Sequence, residues 1–105
     1  NLRVLKFIKQ EYGADQAGLD AWCRHWIGEG LTACEAIAAA QTHGGAFTFG
    51  DAPGLADICL VPQMFAAERF GTDLTPFPRL NAIRAACEAL PAFADAHPAR
   101  QPDAI

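Results

Sequence analysis

The feature that most restricts the fold is the segment from Leu55 to Phe70, which is apolar on nearly every side when drawn as a helix. A helix of this kind normally lies among other helices, because no face of it favours water. Pro62 lies inside the segment and is expected to bend it, since proline removes one backbone hydrogen bond. The segment therefore predicts a bundle of helices around a central, buried one. Its apolar residues include Leu55, Ala56, Ile58, Cys59, Leu60, Val61, Met64 and Phe65.

The remainder of the chain is also predicted to be helical, because no stretch shows the alternation of a strand. Residues 2–12 should form a first helix with Val4, Leu5, Ile8 and Tyr12 on one face, and Asp15 should cap a second that reaches about Thr42. A fourth helix should start in residues 75–78 and end at 91, followed by a short fifth over 92–96. The sequence thus predicts an all-α fold of four or five helices. The second helix has apolar residues at helical spacing: Leu19, Trp22, Cys23, Trp26, Ile27, Cys34 and Ile37.

Length and composition indicate one folded domain and exclude several functions. The chain has 105 residues, of which 51% are hydrophobic and 19% charged, unlike a disordered chain. Its net charge is -4 and its basic residues are scattered, so we expect no nucleic-acid partner. No apolar run approaches the roughly 20 residues that span a bilayer, so we expect no membrane partner. The first residue is not Met, and Leu2 and Val4 resemble packing residues, so we expect a fragment of a larger protein.

The cysteines and the absence of serine limit the available chemistry. The four cysteines, Cys23, Cys34, Cys59 and Cys87, form no CxxC pair and fall among apolar positions. Reduced thiols packed in the core of a cytoplasmic protein are the favoured interpretation, with disulfides as the alternative. The chain has no serine and one tyrosine, Tyr12, so a serine hydrolase is excluded.

Asp57 is a charged residue at the start of the apolar central segment. It could be a catalytic carboxylate or part of a helix cap. Gly54 precedes it by three residues, where a helix N-cap would lie, so the Asp57 carboxylate can accept the Gly54 N–H and face the positive end of the helix dipole. The capping role is favoured, although glycine has no side chain to complete the reciprocal half of a capping box.

Arg69, at the other end of the central segment, has two possible roles. It could be a solvated residue that interacts with the helix C-terminus or with Asp73, or it could bind a carboxylate with both arms of its guanidinium. Asn1 begins the first helix, whose free N–H groups could hold an anion or could simply be capped. The histidines His25, His43 and His97 show no spacing typical of metal ligands, so no metal site is predicted.

Several strings of residues resemble the glutathione transferases, and the combination is similar to their zeta class. The superfamily likeness lies in residues 49–51 and 55–63, which run Phe49-Gly50-Asp51 and Leu55-Ala56-Asp57-Ile58-Cys59-Leu60-Val61-Pro62-Gln63. The likeness to the zeta class, which includes maleylacetoacetate and maleylpyruvate isomerases, lies in residues 67–70, 73–78, 1–6 and 101–103. The resemblance therefore covers essentially the whole chain in order.

This resemblance implies a two-domain, glutathione-dependent cis–trans isomerase of which residues 1–105 are the helical, substrate-side domain. A thioredoxin-like N-terminal domain, absent from this chain, would hold most of the glutathione and its thiol-activating Ser and Cys motif. The likeness implies that Arg69 binds a carboxylate of a dianionic maleyl substrate, and that Asn1, Leu2 and Arg3 lie beside glutathione. Arg3 replaces a small residue found in some members, and Asp57 with Gly54 remains a structural cap.

Two other functions are compatible with the same sequence. The chain could be a non-catalytic interaction module of glutathione-transferase shape, or part of a general transferase that acts on another electrophile. Under each of these hypotheses, surfaces that pack on a missing domain should be exposed in this chain. We therefore expect self-association, with a homodimer as the simplest form, and no isomerase turnover by the isolated chain.

Overall fold

The computed structural model describes residues 2–104, and it is helical as the sequence predicts. Four helices come first, the last three of which pack against one another, and two shorter pieces follow them toward the C-terminus. No strand occurs in this range, and none of the helices described there is long and apolar enough to cross a membrane. The elements are α1 (Leu2–Tyr12), α2 (Gln16–Ala39), α3 (Leu55–Arg69), α4 (Pro78–Glu88), α5 (Pro91–Ala96) and a 3₁₀ turn (Pro98–Arg100).

The ends of α2 show how local signals set helix boundaries. Asp15 caps the helix as predicted, because its carboxylate accepts the Gly18 N–H at 2.9 Å. The helix ends at Ala39, three residues before the expected Thr42. The Gln41 N–H bonds to the Ala38 carbonyl, which tightens the last turn and takes the chain off the helical path before the glycines that were expected to stop it.

The core lies where α2, α3 and α4 meet. Met64 of α3 packs with Ile83 and Cys87 of α4, and all three are fully buried. The buried stripe of α3 consists of Asp57, Leu60, Met64 and Ala67, at the three- and four-residue spacing of one helix face.

The central helix is less enclosed than its composition suggests. Leu55 and Ile58 of α3 are 77% and 57% exposed, and Cys59 is exposed as well. The prediction that α3 lies among the other helices is confirmed, but the prediction of burial on nearly all sides is wrong. Among the helices in residues 2–104, only α2 and α4 pack closely on α3, so its two flanks remain open.

The face of α2 predicted to be apolar is buried only in part. Leu19 and Cys23 are buried, together with Leu31 and Ala38, which the sequence did not single out. The other predicted members are exposed or half-buried, because neighbouring helices cover only a narrow stripe of α2. The exposed or half-buried members are Trp22, Trp26, Ile27, Cys34 and Ile37. On α1, which packs against α2, no residue is fully buried.

The loop between α2 and α3 is held by His43. The His43 Nδ1 accepts the Gly45 N–H at 3.0 Å, so its Nε2 carries the hydrogen that is donated to the Thr48 carbonyl at 2.9 Å. The Arg79 guanidinium donates to the Gly45 carbonyl at 3.0 Å, which anchors the loop on α4. A side chain at Gly45 would overlap the backbone of Gly50, so the loop crosses itself at a point where only glycine fits.

The start of α4 is capped from another helix. Phe77, at the N-cap position, provides no side-chain hydrogen bond. Instead Glu35 of α2 accepts the backbone N–H groups of Arg79 at 2.8 Å and Leu80 at 2.9 Å. This carboxylate satisfies two free donors of the first turn and lies at the positive end of the α4 dipole.

Candidate functional site

The C-terminal end of α3 carries Arg69 and is closed by a tight turn. Gly71 adopts a positive φ of 73°. The Gly71 N–H donates to the Glu68 carbonyl at 3.0 Å, and the Thr72 N–H donates to the Ala67 carbonyl at 2.9 Å. This pair of hydrogen bonds is the Schellman arrangement, in which a glycine ends the helix and satisfies its last carbonyls. The backbone that carries Arg69 is thereby fixed.

Residues on either side of Arg69 are held by arginines from other helices. The Arg84 guanidinium of α4 binds both carboxylate oxygens of Glu68, at 2.8 and 3.0 Å. These hydrogen bonds from Arg84 lower the pKa of Glu68 and raise the pKa of Arg84. On the other side, the Arg24 guanidinium of α2 donates to the Phe70 carbonyl at 3.0 Å. Neither contact could be predicted from the sequence, because the partners are far apart in the chain.

Arg69 itself is exposed and lines a cavity of about 570 Å³ between the end of α3 and the C-terminal segment. Within residues 2–104 its guanidinium makes no hydrogen bond. The alternative partner, Asp73, instead accepts the N–H and hydroxyl of Thr75 at 3.0 and 2.8 Å, and these bonds lower the pKa of Asp73. A free guanidinium at a cavity rim can bind a carboxylate. The cavity is lined by Phe65, Arg69, Ala96, Pro98, Ala99, Gln101, Asp103 and Ala104.

A second, mostly apolar cavity of about 380 Å³ adjoins the first. It lies between α3 and α5 and shares Phe65, Ala96 and Pro98 with the cavity that Arg69 lines. Pro62 is part of its wall. The proline does not end α3, which continues to Arg69. Together the two cavities form a continuous concave surface with a cation at one end and apolar side chains at the other.

The residues expected beside glutathione lie elsewhere on the domain. Leu2 and Arg3 are exposed in the first turn of α1, and neither lines the cavity of Arg69. Asn1 lies outside the described residues. The structure therefore does not bring Leu2 or Arg3 together with Arg69 in one cavity. In the described part of the chain, no group of three His, Cys, Asp or Glu side chains is placed to hold a metal ion.

Asp57 makes the hydrogen bond that its spacing from Gly54 predicted, and two more. Its Oδ2 accepts the Gly54 N–H at 2.8 Å, and its Oδ1 accepts the Thr48 hydroxyl at 2.7 Å and the Thr48 N–H at 3.1 Å. Burial of Asp57, which is 1% exposed, opposes its ionisation, but the accepted hydrogen bonds outweigh burial and lower its pKa. The carboxylate faces the protein rather than a cavity. Thr48, nine residues away, was not identified from the sequence.

The opposite flank of α3 borders an open groove of about 710 Å³ against α2. Trp22 and Trp26 form one wall, with ring centroids 5.6 Å apart, and Cys34 and Cys59 are exposed along it. All four cysteines are free thiols. The prediction that they pack in the core is correct for Cys23 and Cys87 and wrong for the other two, because only one stripe of each helix is covered.

The chain is similar over its full length to proteins about twice as long, although no protein-family model matches it. A maleylpyruvate isomerase from Ralstonia sp. is 48% identical over 103 residues, which are 98% of this chain and 49% of that protein. A solved holo structure of a maleyl pyruvate isomerase, described as a bacterial zeta-class glutathione S-transferase, superposes with a TM-score of 0.96 at 48% identity. The match covers 100% of this chain and 50% of that one.

A second solved structure brings ligands into the comparison. It is a maleylacetoacetate isomerase from Anaeromyxobacter dehalogenans with dicarboxyethyl glutathione and citrate in its active site. It matches 100% of this chain and 46% of its own with a TM-score of 0.86 at 43% identity. The chain thus spans about half the length of the relatives it matches. Over that half, both its sequence and its fold are similar to those of the zeta-class glutathione S-transferases.

Proposed function

We propose that this chain is the substrate-side helical domain of a glutathione-dependent cis–trans isomerase that acts on maleylpyruvate, maleylacetoacetate or a related maleyl dianion. The observation that carries the proposal is the 48% identity and TM-score of 0.96 to a maleyl pyruvate isomerase over the whole of this chain. The exposed guanidinium of Arg69 at a cavity rim supports it. In the Anaeromyxobacter relative, the active site holds dicarboxyethyl glutathione and citrate, both of which carry carboxylate groups that suit a cation in that place.

In this proposal, Arg69 binds a carboxylate of the substrate. A planar guanidinium can bind a carboxylate with two parallel hydrogen bonds, which fixes the orientation of the substrate as well as its charge. The adjoining apolar cavity, with Phe65 in its wall, would exclude water from the rest of the substrate. Glutathione, when bound, supplies the thiol whose addition and departure permit rotation about the cis double bond. Negative charge that develops during this addition is stabilised by the fixed cation.

The chain contains no serine, and in this proposal the thiol-activating motif of the family lies in another domain. We therefore propose that a thioredoxin-like half holds most of the glutathione, with Asn1, Leu2 and Arg3 beside it. The exposed apolar side chains of α1 and α2 support contact with that half or with a second subunit, and we propose a homodimer. The four free cysteines suit the reducing cytoplasm.

The test is an isomerase assay on the full-length protein encoded by the gene. Arg69→Ala should raise the KM for a maleyl dianion about 10- to 100-fold, because a charge-assisted pair contributes about 1.5–3 kcal/mol. Arg69→Lys should recover only part of the loss, since an ammonium lacks the planar fork. Arg100→Ala is the control, because Arg100 is exposed and does not line the cavity.

A KM that stays within about twofold of wild type in Arg69→Ala would remove Arg69 from the substrate site. Turnover by the 105-residue chain alone would contradict the division of labour between two domains. A full-length protein active only on other electrophiles would indicate a general transferase, and one with an unrelated second domain would indicate an interaction module.

A further inference from the structure

We propose that Arg24 and Arg84 are positioning residues for Arg69, and that they act by holding its two sequence neighbours from two different helices, α2 and α4. Arg84 holds the side chain of Glu68, and Arg24 holds the backbone carbonyl of Phe70. Neither arginine lines the cavity that Arg69 lines. The proposal rests on the proposed function, since it assumes that Arg69 binds substrate.

The hydrogen bonds of Arg84 hold the Glu68 carboxylate in one orientation. Two guanidinium nitrogens of Arg84 bind the two oxygens of Glu68, and its Nε binds Glu88 at 2.8 Å. All three nitrogens are therefore engaged, and the Arg84 side chain is only 16% exposed. A forked pair on a mostly buried arginine restricts rotation of the last turn of α3 far more than a single contact between exposed charges would.

The hydrogen bond from Arg24 holds the backbone at Phe70. The Phe70 carbonyl is at the end of α3, where helix carbonyls lack partners within the helix. A cation there also suits the negative end of the helix dipole. Because the Gly71 and Thr72 N–H groups close the turn, the backbone after Arg69 is tied both to itself and to α2.

The two contacts also determine where Arg69 points. Successive helical residues differ by about 100° around the axis, so Glu68 and Arg69 cannot face the same side. With Glu68 bound to α4, the Arg69 side chain is directed to the cavity beside the C-terminal segment. The fork also occupies the carboxylate of Glu68, the residue that precedes Arg69. Arg69 is thus a free side chain on a fixed backbone, which reduces the entropy lost on binding a carboxylate.

The experiment measures KM and kcat in the full-length isomerase for Glu68→Gln and Arg24→Met. Each should raise the KM for a maleyl dianion about fivefold with kcat nearly unchanged, because displacement of a binding group weakens substrate orientation. Asp95→Asn is the control, since it removes the carboxylate of an exposed ion pair with Arg100, and neither residue lines either cavity. Its KM should remain at the wild-type value.

Combining these substitutions with Arg69→Ala separates an effect on the position of Arg69 from a general loss of structure. If the contacts of Arg24 and Arg84 act through Arg69, Glu68→Gln and Arg24→Met should have no further effect on KM when Arg69 is already alanine. Hydrogen exchange of the Phe70, Gly71 and Thr72 amides in the 105-residue chain should also become faster in both variants. These results would support the proposal.

Unchanged KM in Glu68→Gln and Arg24→Met, or the same increase in the Arg69→Ala background, would overturn the proposal while leaving the proposed function intact. An unchanged KM in Arg69→Ala itself would overturn both. The two failures are therefore distinguishable from one set of variants.

Discussion

Replacing Asp57 by alanine should severely destabilise the domain without touching the cavity that Arg69 lines. The carboxylate accepts three hydrogen bonds, and two of them come from the buried Thr48. The third donor, the Gly54 N–H, belongs to an exposed residue and can bond to water after the change. Two hydrogen bonds to a charged acceptor, at about 1.5–3 kcal/mol each, predict a loss of about 3–6 kcal/mol. That is a large part of the roughly 5–15 kcal/mol by which domains are stable.

Urea unfolding followed by circular dichroism measures this loss as a lower midpoint at constant slope. Asp51→Ala is the control, because Asp51 is an exposed carboxylate in the loop that carries Thr48. This change should alter stability by less than about 0.5 kcal/mol. Thr48→Val removes one of these hydrogen bonds and should give an intermediate loss of about 1.5–3 kcal/mol. A loss below about 1 kcal/mol in Asp57→Ala would show that the buried hydrogen bonds contribute little and would refute this reasoning.

Other predictions concern pH, thiol reactivity and the loop. The pKa of Asp57 is lower in the folded state, so the contribution of its carboxylate to stability is present at neutral pH and is lost as the pH falls through that lowered value. Acid should therefore destabilise wild type more than Asp57→Ala, and parallel curves of unfolding free energy against pH for the two proteins would contradict this. Cys34 should react with a thiol reagent in the native state, whereas Cys87, buried and with its pKa raised to about 11, should react only after unfolding. Gly45→Ala should cost about 1–3 kcal/mol by overlap with the loop backbone, whereas Gly44→Ala, which meets open space, should be neutral; equal effects would exclude a steric cause.

The sequence predicted what depends on neighbours along the chain. The first helix over residues 2–12, the Asp15 cap and the hydrogen bond from Gly54 to Asp57 all depend on residues within one or two turns, so spacing reveals them. The span of α3 from Leu55 was predictable for the same reason.

Contacts between distant residues could not be predicted in this way. Thr48 is nine residues from Asp57, and the Glu68 fork depends on Arg84, sixteen positions away on another helix. Periodicity also failed to tell which apolar residues are covered. Trp26 lies at the right spacing but is 54% exposed, because the extent of coverage is set by how many helices pack nearby rather than by the residue.

The cap that Glu35 provides has a consequence for how the domain assembles. The first turn of α4 has no cap from its own N-cap residue, and the carboxylate that binds the N–H groups of Arg79 and Leu80 is 44 and 45 positions earlier in the chain. A short helix without such a cap is marginal in water. The start of α4 can therefore become stable only after α2 has docked, so a peptide of residues 76–90 should remain mostly unstructured while the intact domain folds cooperatively.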